Sequence, residues 1–342
     1  MARNLSKRER LDHTIAGRPV DRMPVALWRH FYVEETSREG LVDAMRTWQD
    51  TYDWDFLKIN PRYGYHAEDW GNRYTSPGRA DVSPELVRPA VGAADAFRRL
   101  DRLDPAGTAG RKAPVLADHL GAVEDLRRAL GPEVPMVMTI FTPMSIAAEL
   151  AGGPQDLAGL VHQDPAAVHA GLRTITDTFA AFAARCVEAG ADGIFLATTH
   201  VGTFSNFTAE QYAEFGRPYD LEVLAAARDA PLNLLHVCKG RAMVRELADY
   251  PAAMLNWDTQ DPTNPPLAGL AAAAPGKALV GGVDRALFAD LARRDEMLEQ
   301  VRAAHRAMGA RPFVIGSTCT IDTTSRPEMV RALRRAAEET RS

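Results

Sequence analysis

Cysteine is scarce in this chain, at three among 342 residues. So small and odd a number excludes a secreted scaffold stapled by disulfides and fits a reducing compartment. Also missing is any run near the ~20 uninterrupted apolar residues that a membrane span needs. The opening MARNLSKRERLDHTIAG lacks the apolar core of a signal peptide, so a cytoplasmic protein is expected. Positive charge is not in excess: 40 Lys and Arg face 45 Asp and Glu, for a formal charge of −5. The basic residues are scattered rather than gathered in a stripe, which argues against a nucleic-acid partner. Low-complexity tracts and short repeats are absent, and no glycine-rich phosphate loop follows the first apolar run. What remains is 46% apolar and 25% charged, the balance of a soluble globular protein with a large core.

Eight apolar runs of strand length recur between longer helical patterns. They are PVALWRH (24–30), DFLKINP (55–61), VPMVMTIFTP (134–143), ADGIFLATTH (191–200), LNLLHVCKG (232–240), AMLNWDTQ (253–260), KALVGGVD (277–284) and PFVIGSTCT (312–320). Near-continuous apolar runs suit parallel strands covered on both faces. The intervals show helical spacing. QDPAAVHAGLRTITDTFAAFAARCVEAG ends at Gly190, and TAEQYAEFGRPYDLEVLAAARDA opens with a Thr208/Gln211 capping box. RDEMLEQVRAAHRAMGA and SRPEMVRALRRAAEET fill the last two. Eight alternations predict a single (β/α)₈ TIM barrel over residues 1–342, with N-terminal helices. The stretch from Gly64 to Gly131, rich in Pro, Gly, Asp and Arg, is read as an elaborated βα region carrying one or two helices over the barrel mouth.

Two of the three cysteines fall in a pattern with chemistry. His236 and Cys238 form His-x-Cys at the end of one apolar run, and Cys319 ends another. Residues i and i+2 of a strand share a face, so His236 and Cys238 can grip one ion together. Zn²⁺ takes imidazole and thiolate ligands, and a catalytic site keeps one position open. Two thiolates and an imidazole leave zinc formally neutral, able to hold an added thiol as thiolate. Asp258 is a candidate for the fourth position, or equally a loop anchor. Taken singly, each of these residues is more often a buried core residue, and Cys186, in a helical pattern, keeps that reading.

Other polar residues also gather where barrel strands would end, at the face where barrel active sites are built. These are Arg29 and His30, Asn60 and Arg62, Thr142, Thr199 and His200, Asp258, and Asp284. Asp284 reads equally well as a helix cap.

With SKRERLDHTIAGRPVDRMPVALW, YDWDFLKIN, EDWG, NWDTQDP, LVGGVD and STCTIDTTSRPEMVRAL, the chain resembles the uroporphyrinogen decarboxylase superfamily. The His-x-Cys and later Cys resemble its zinc-containing, corrinoid-dependent methyltransferase branch, that of methylcobalamin:coenzyme M methyltransferases. The resemblance implies Zn²⁺ on His236, Cys238 and Cys319, with Asp258 near the family's acidic ligand. It also implies a small-molecule thiol or similar soft acceptor. Methylcobalamin would come from a separate corrinoid protein, since no cobalamin-binding segment is evident. The decarboxylases' Arg-Gln-Ala-Gly-Arg signature is replaced here by LWRHFYVEE, which keeps only Arg29. The alternatives are a metal-free lyase, using Arg29, Asp258 and His200 on a carboxylated substrate, and a non-catalytic barrel.

Overall fold

The computed structural model describes residues 4–105 and 110–340. Its centre is a curled, all-parallel sheet of seven strands in chain order. These are β1 (Leu57–Ile59), β2 (Met136–Phe141), β3 (Gly193–Thr198), β4 (Leu234–Val237), β5 (Met254–Trp257), β6 (Ala278–Val283) and β7 (Val314–Ser317). The result is an α/β, TIM-barrel-like fold. No described helix is long and apolar enough to cross a membrane.

Strand periodicity sorts the core into two layers. Ile194 and Leu196 on β3, Leu235 and Val237 on β4, and Leu255 and Trp257 on β5 face outward and pack with the surrounding helices. The alternate residues Val137, Phe195, Leu234, Met254, Val280 and Val314 form a separate inner cluster with Trp28 and Phe56. Further along the same inward rows the residues turn polar: Thr139 on β2, His236 on β4 and Asn256 on β5, all buried. Apolar packing thus fills the floor and leaves the C-terminal end of the sheet for chemistry.

Eight strands were expected and seven form. The first run, PVALWRH, makes isolated parallel bridges, Val25 to Ile315 and Arg29 to Ile321. Val25 N–H donates to Asp55 Oδ2 at 2.7 Å instead of to a neighbouring strand, and Pro24 has no N–H to give. The segment still lies between β7 and the entry to β1. Ile315 N donates to Pro24 O, Ala26 N to Ile315 O, and Asp55 N to Val25 O.

Among the helices, Pro165–Glu188 ends two residues before Gly190, whose φ of 109° suits glycine alone. The Thr208/Gln211 capping box is present. The helix expected after it is broken in two, Ala209–Phe215 and Arg217–Ala226, because Pro218 cannot continue the first. The stretch from Gly64 to Gly131 holds the helices Tyr65–Glu68 and Pro114–Leu130. It also carries two small ladders, Arg73–Thr75 against Glu85–Arg88 and Leu103–Asp104 beside Arg111–Lys112.

One buried ionic cluster fastens the amino-terminal segment to this sheet. Asp55 is fully buried and accepts from Arg10 Nη1 at 2.6 Å, Arg22 Nη1 at 2.7 Å, Arg22 Nη2 at 3.0 Å and Val25 N. Arg10 and Arg22 are themselves 5% and 4% exposed. Removing the carboxylate takes the ion-pair partner from buried Arg22, a change that costs about 3–5 kcal/mol, while Arg10 keeps its pair with Asp21. Asp55→Ala is therefore expected to lose stability of that order, read from the urea midpoint by tryptophan fluorescence. A shift below about 1 kcal/mol would show the cluster to be dispensable.

Candidate metal centre

The inward row of β4 delivers His236, and the next residue in that row, Cys238, follows the strand end. Cys319 stands just past β7. The structure brings the three together: His236, Cys238 and Cys319 place one ligand atom each within 4.8 Å of one another. Cys238 Sγ lies 3.6 Å from Cys319 Sγ, and Cys319 Sγ lies 3.5 Å from His236 Nε2. Tetrahedral bonds of about 2.3 Å to sulfur and about 2.0–2.1 Å to nitrogen would separate ligand atoms by about 3.8 Å and about 3.6 Å. The donor set fits a metal of that size.

A side chain that sequence reasoning passed over orients the imidazole. Asn256, fully buried on β5, donates through Nδ2 to Val280 O at 2.9 Å and Ser317 O at 3.2 Å. Both are carbonyls and accept only, so the amide nitrogen must face them. Oδ1 is thereby turned to His236 Nδ1 at 2.6 Å and accepts its proton. The Nε2 lone pair is left to point at the cysteines.

The hydrogen bond from Cys238 holds Cys319 well below the ordinary thiol range, with His236 assisting. The same bond, together with burial, raises Cys238. The backbone after Cys238 is strained, with Lys239 at φ 80° and Arg241 at φ 51°. It is held there by Asn264 Nδ2 to Lys239 O at 3.0 Å and Thr203 Oγ1 to Gly240 O at 2.8 Å.

These residues border a cavity of about 240 Å³ that also takes in Lys58, Asn60, His66, Thr139, Phe195 and His200. Lys58 was missed in the sequence although it lies two residues before Asn60, on the same face. It is 5% exposed; its Nζ donates to Asn60 Oδ1 at 2.5 Å and sits 4.6 Å from the Phe195 ring centroid. Burial lowers its pKa to about 7, against the pull of Cys319 and Glu35. His66 is held neutral by burial and by His119, its pKa near 3. His200 is lowered by burial and by Lys239.

Other expected site residues go elsewhere. Asp258 is not in the donor group: its Oδ1 accepts from Gln260 N and Asp261 N, both at 3.1 Å, closing the turn after β5. Arg29 does not border the metal cavity; its guanidinium packs 4.6 Å from the Phe31 ring centroid, beside a different pocket. Thr142 caps the helix Pro143–Ala151, and Asp284 caps the turn that follows β6. Arg62 borders the cavity but pairs with Glu68. Cys186 is fully buried in its helix, and burial raises its thiol.

A parallel sheet that gathers polar groups at the carboxyl ends of its strands has the layout of a barrel-type enzyme. The family model for uroporphyrinogen decarboxylase (URO-D) matches residues 67–340, and the chain belongs to that family. Uroporphyrinogen decarboxylase of Rhodococcus opacus is 27% identical over 234 residues, 66% of this chain and 61% of that protein. Methylated-thiol–coenzyme M methyltransferase of Methanosarcina mazei is 28% identical over 155 residues, 45% of this chain and 39% of that one. The chain thus spans at most 61% of the length of these curated relatives. Among solved structures, a methyltransferase from Methanosarcina mazei superposes with TM-score 0.75 at 19% identity, over 98% of this chain and 99% of that one. A B12-independent methionine synthase from Shewanella sp. W3-18-1 gives 0.60 at 13%, over 93% and 96%. At these identities the likeness is one of fold.

Freeing the imidazole should weaken the centre measurably. Asn256→Leu is expected to lower metal affinity about ten- to a hundredfold, the usual effect of losing an outer hydrogen-bond partner. Competition against a chromophoric chelator reads this directly, and unchanged affinity would show that Asn256 does not set the imidazole.

Proposed function

We propose that this chain is a zinc-dependent methyltransferase that moves a methyl group between a corrinoid, carried by a separate protein, and a thiol or similar soft acceptor. The observation that carries this reading is the convergence of His236 Nε2 with the Cys238 and Cys319 sulfurs at tetrahedral ligand spacing. Bound there, Zn²⁺ would supply the charge that keeps thiols ionised at neutral pH. With Asp258 engaged in its own turn, three protein donors leave one position for substrate sulfur. In the same reading, residues 24–29 act as an eighth stave closing the barrel.

The chain's own residues divide the remaining work. Asn256 fixes the imidazole so that no proton competes for Nε2. An incoming thiol has a pKa near 8.5 and must lose its proton to be nucleophilic. His200, held neutral in the same cavity, accepts that proton. A third thiolate would give the neutral centre a net negative charge, which the Lys58 ammonium offsets; that charge raises the Lys58 pKa from about 7. Phe195 and Phe141 keep the cavity apolar around the reacting sulfur.

The rival reading is decarboxylation of a carboxylated substrate, the activity named for several relatives. The cavity has little to hold a polycarboxylate. Arg29 lies outside it and Arg62 is paired with Glu68, which leaves buried Lys58 and exposed Lys239.

Protein purified without added metal should contain one zinc per chain. Cys238→Ser and Cys319→Ser should each lose the zinc and methyl transfer from methylcobalamin to thiols while keeping a native circular dichroism spectrum. Metal-free wild-type protein that still transfers methyl groups would overturn the reading.

A further inference from the structure

Cys238 and Cys319 face each other as closely as they would face an ion. Their sulfurs stand 3.6 Å apart, the first just after β4 and the second just past β7. Both backbones are tied in place by the protein itself. Cys238 N donates to Thr198 O at 3.1 Å, Thr318 N donates to Val283 O at 2.9 Å, and Ser317 Oγ donates to Cys319 O. A disulfide bond is about 2.05 Å long, so each sulfur has under about 1 Å to travel by side-chain rotation. Both cysteines are half-buried and border the cavity of about 240 Å³, within reach of a small oxidant. Cys186 offers the contrast: it is fully buried in the helix Pro165–Glu188 and does not border that cavity.

Two reachable thiols at contact distance form a pair in which one sulfur is oxidised and the other resolves it. The resolving sulfur is already in place, so the first oxidation product is trapped before further oxygen is added.

We propose that Cys238 and Cys319, when no ion joins them, close into a reversible disulfide, with a peroxide as the two-electron oxidant. The thiolate of one cysteine attacks a peroxide oxygen; the O–O bond breaks, a sulfenic acid forms and hydroxide leaves. The second sulfur attacks the oxidised one; the S–S bond forms, the S–O bond breaks and a second hydroxide leaves. The two thiol protons neutralise the two hydroxides. In sum, two thiols and one hydrogen peroxide give one disulfide and two waters. The bond withdraws two of the three donors, so metal uptake at His236 stops until a thiol reductant reopens the pair. The inference does not rest on methyl transfer: a chain that forms the bond but transfers no methyl group fails that reading and keeps this one.

The full chain, stripped of metal with a chelator and treated with one equivalent of hydrogen peroxide, tests this. Free thiols should fall from three to one, and the intact mass should drop by two hydrogens. A non-reducing digest should join the peptides of Cys238 and Cys319, and dithiothreitol should restore all three thiols. Zinc affinity, read by competition against a chromophoric chelator, should be at least tenfold weaker in the oxidised chain than in the reduced one. Oxygen added to either cysteine without a cross-link overturns the proposal. So does a bond that includes Cys186 or joins two chains, and so does a zinc affinity that the cross-link leaves undiminished.

Discussion

The candidate metal centre depends on one amide. Asn256 reaches from β5 to carbonyls in the middle of β6 and at the end of β7 and holds the ring that β4 carries. Its three hydrogen bonds therefore join four strands at the level of the donor group. Each bond is worth only about 1 kcal/mol net, but an unsatisfied buried amide would cost more. Together they admit only one orientation of both side chains. Geometry at the sulfurs follows, because the ring cannot rotate without stranding polar groups in a dry interior.

A division of labour within the sheet follows from the same rows of residues. Outward positions are apolar until Thr198 and Ser317 end their strands, and they glue the helices on, whereas inward positions change character along the strand. The inner apolar cluster of Trp28, Phe56, Phe195, Leu234, Met254 and Val314 is the floor on which the polar level rests. Lys58 belongs to that boundary, its Nζ at the cavity lying over the rings of Trp28 and Phe195. Such a group is held at a cost in desolvation, which lowers its pKa to about 7.

Much of this was legible in the sequence. Seven apolar runs became strands because parallel strands buried on both faces must be continuously apolar. The eighth did not, because its backbone donor was taken by Asp55, a side-chain contact that no periodicity records. His236, Cys238 and Cys319 stood out because the i, i+2 rule fixes which side chains share a face. The same rule applied to DFLKINP and AMLNWDTQ picks out Lys58 with Asn60 and Asn256 with Asp258; the polar residue at the strand end drew attention from its buried neighbour. Arg29 and Asp258 stand apart from the three donors, because a strand-end position does not say whether a side chain turns inward, outward or back upon its own turn. The ladder of Arg73–Thr75 against Glu85–Arg88 pairs largely exposed residues, so it leaves no hydrophobic signature.

The donors are also far apart along the chain. Cys319 and His236 are separated by 83 positions, and Arg29, which binds the loop that carries Cys319, is 294 from its partner Thr323. Such long loops close late, since their entropy must be overcome before the contacts that reward closure exist. On a growing polypeptide, His236 and Cys238 emerge as an incomplete pair with low affinity for any ion. The third donor joins them only after β7 has been made and docked against the segment at residues 24–29. An ion that needs all three donors would thus be captured only late in biogenesis, after the two ends of the sheet have met.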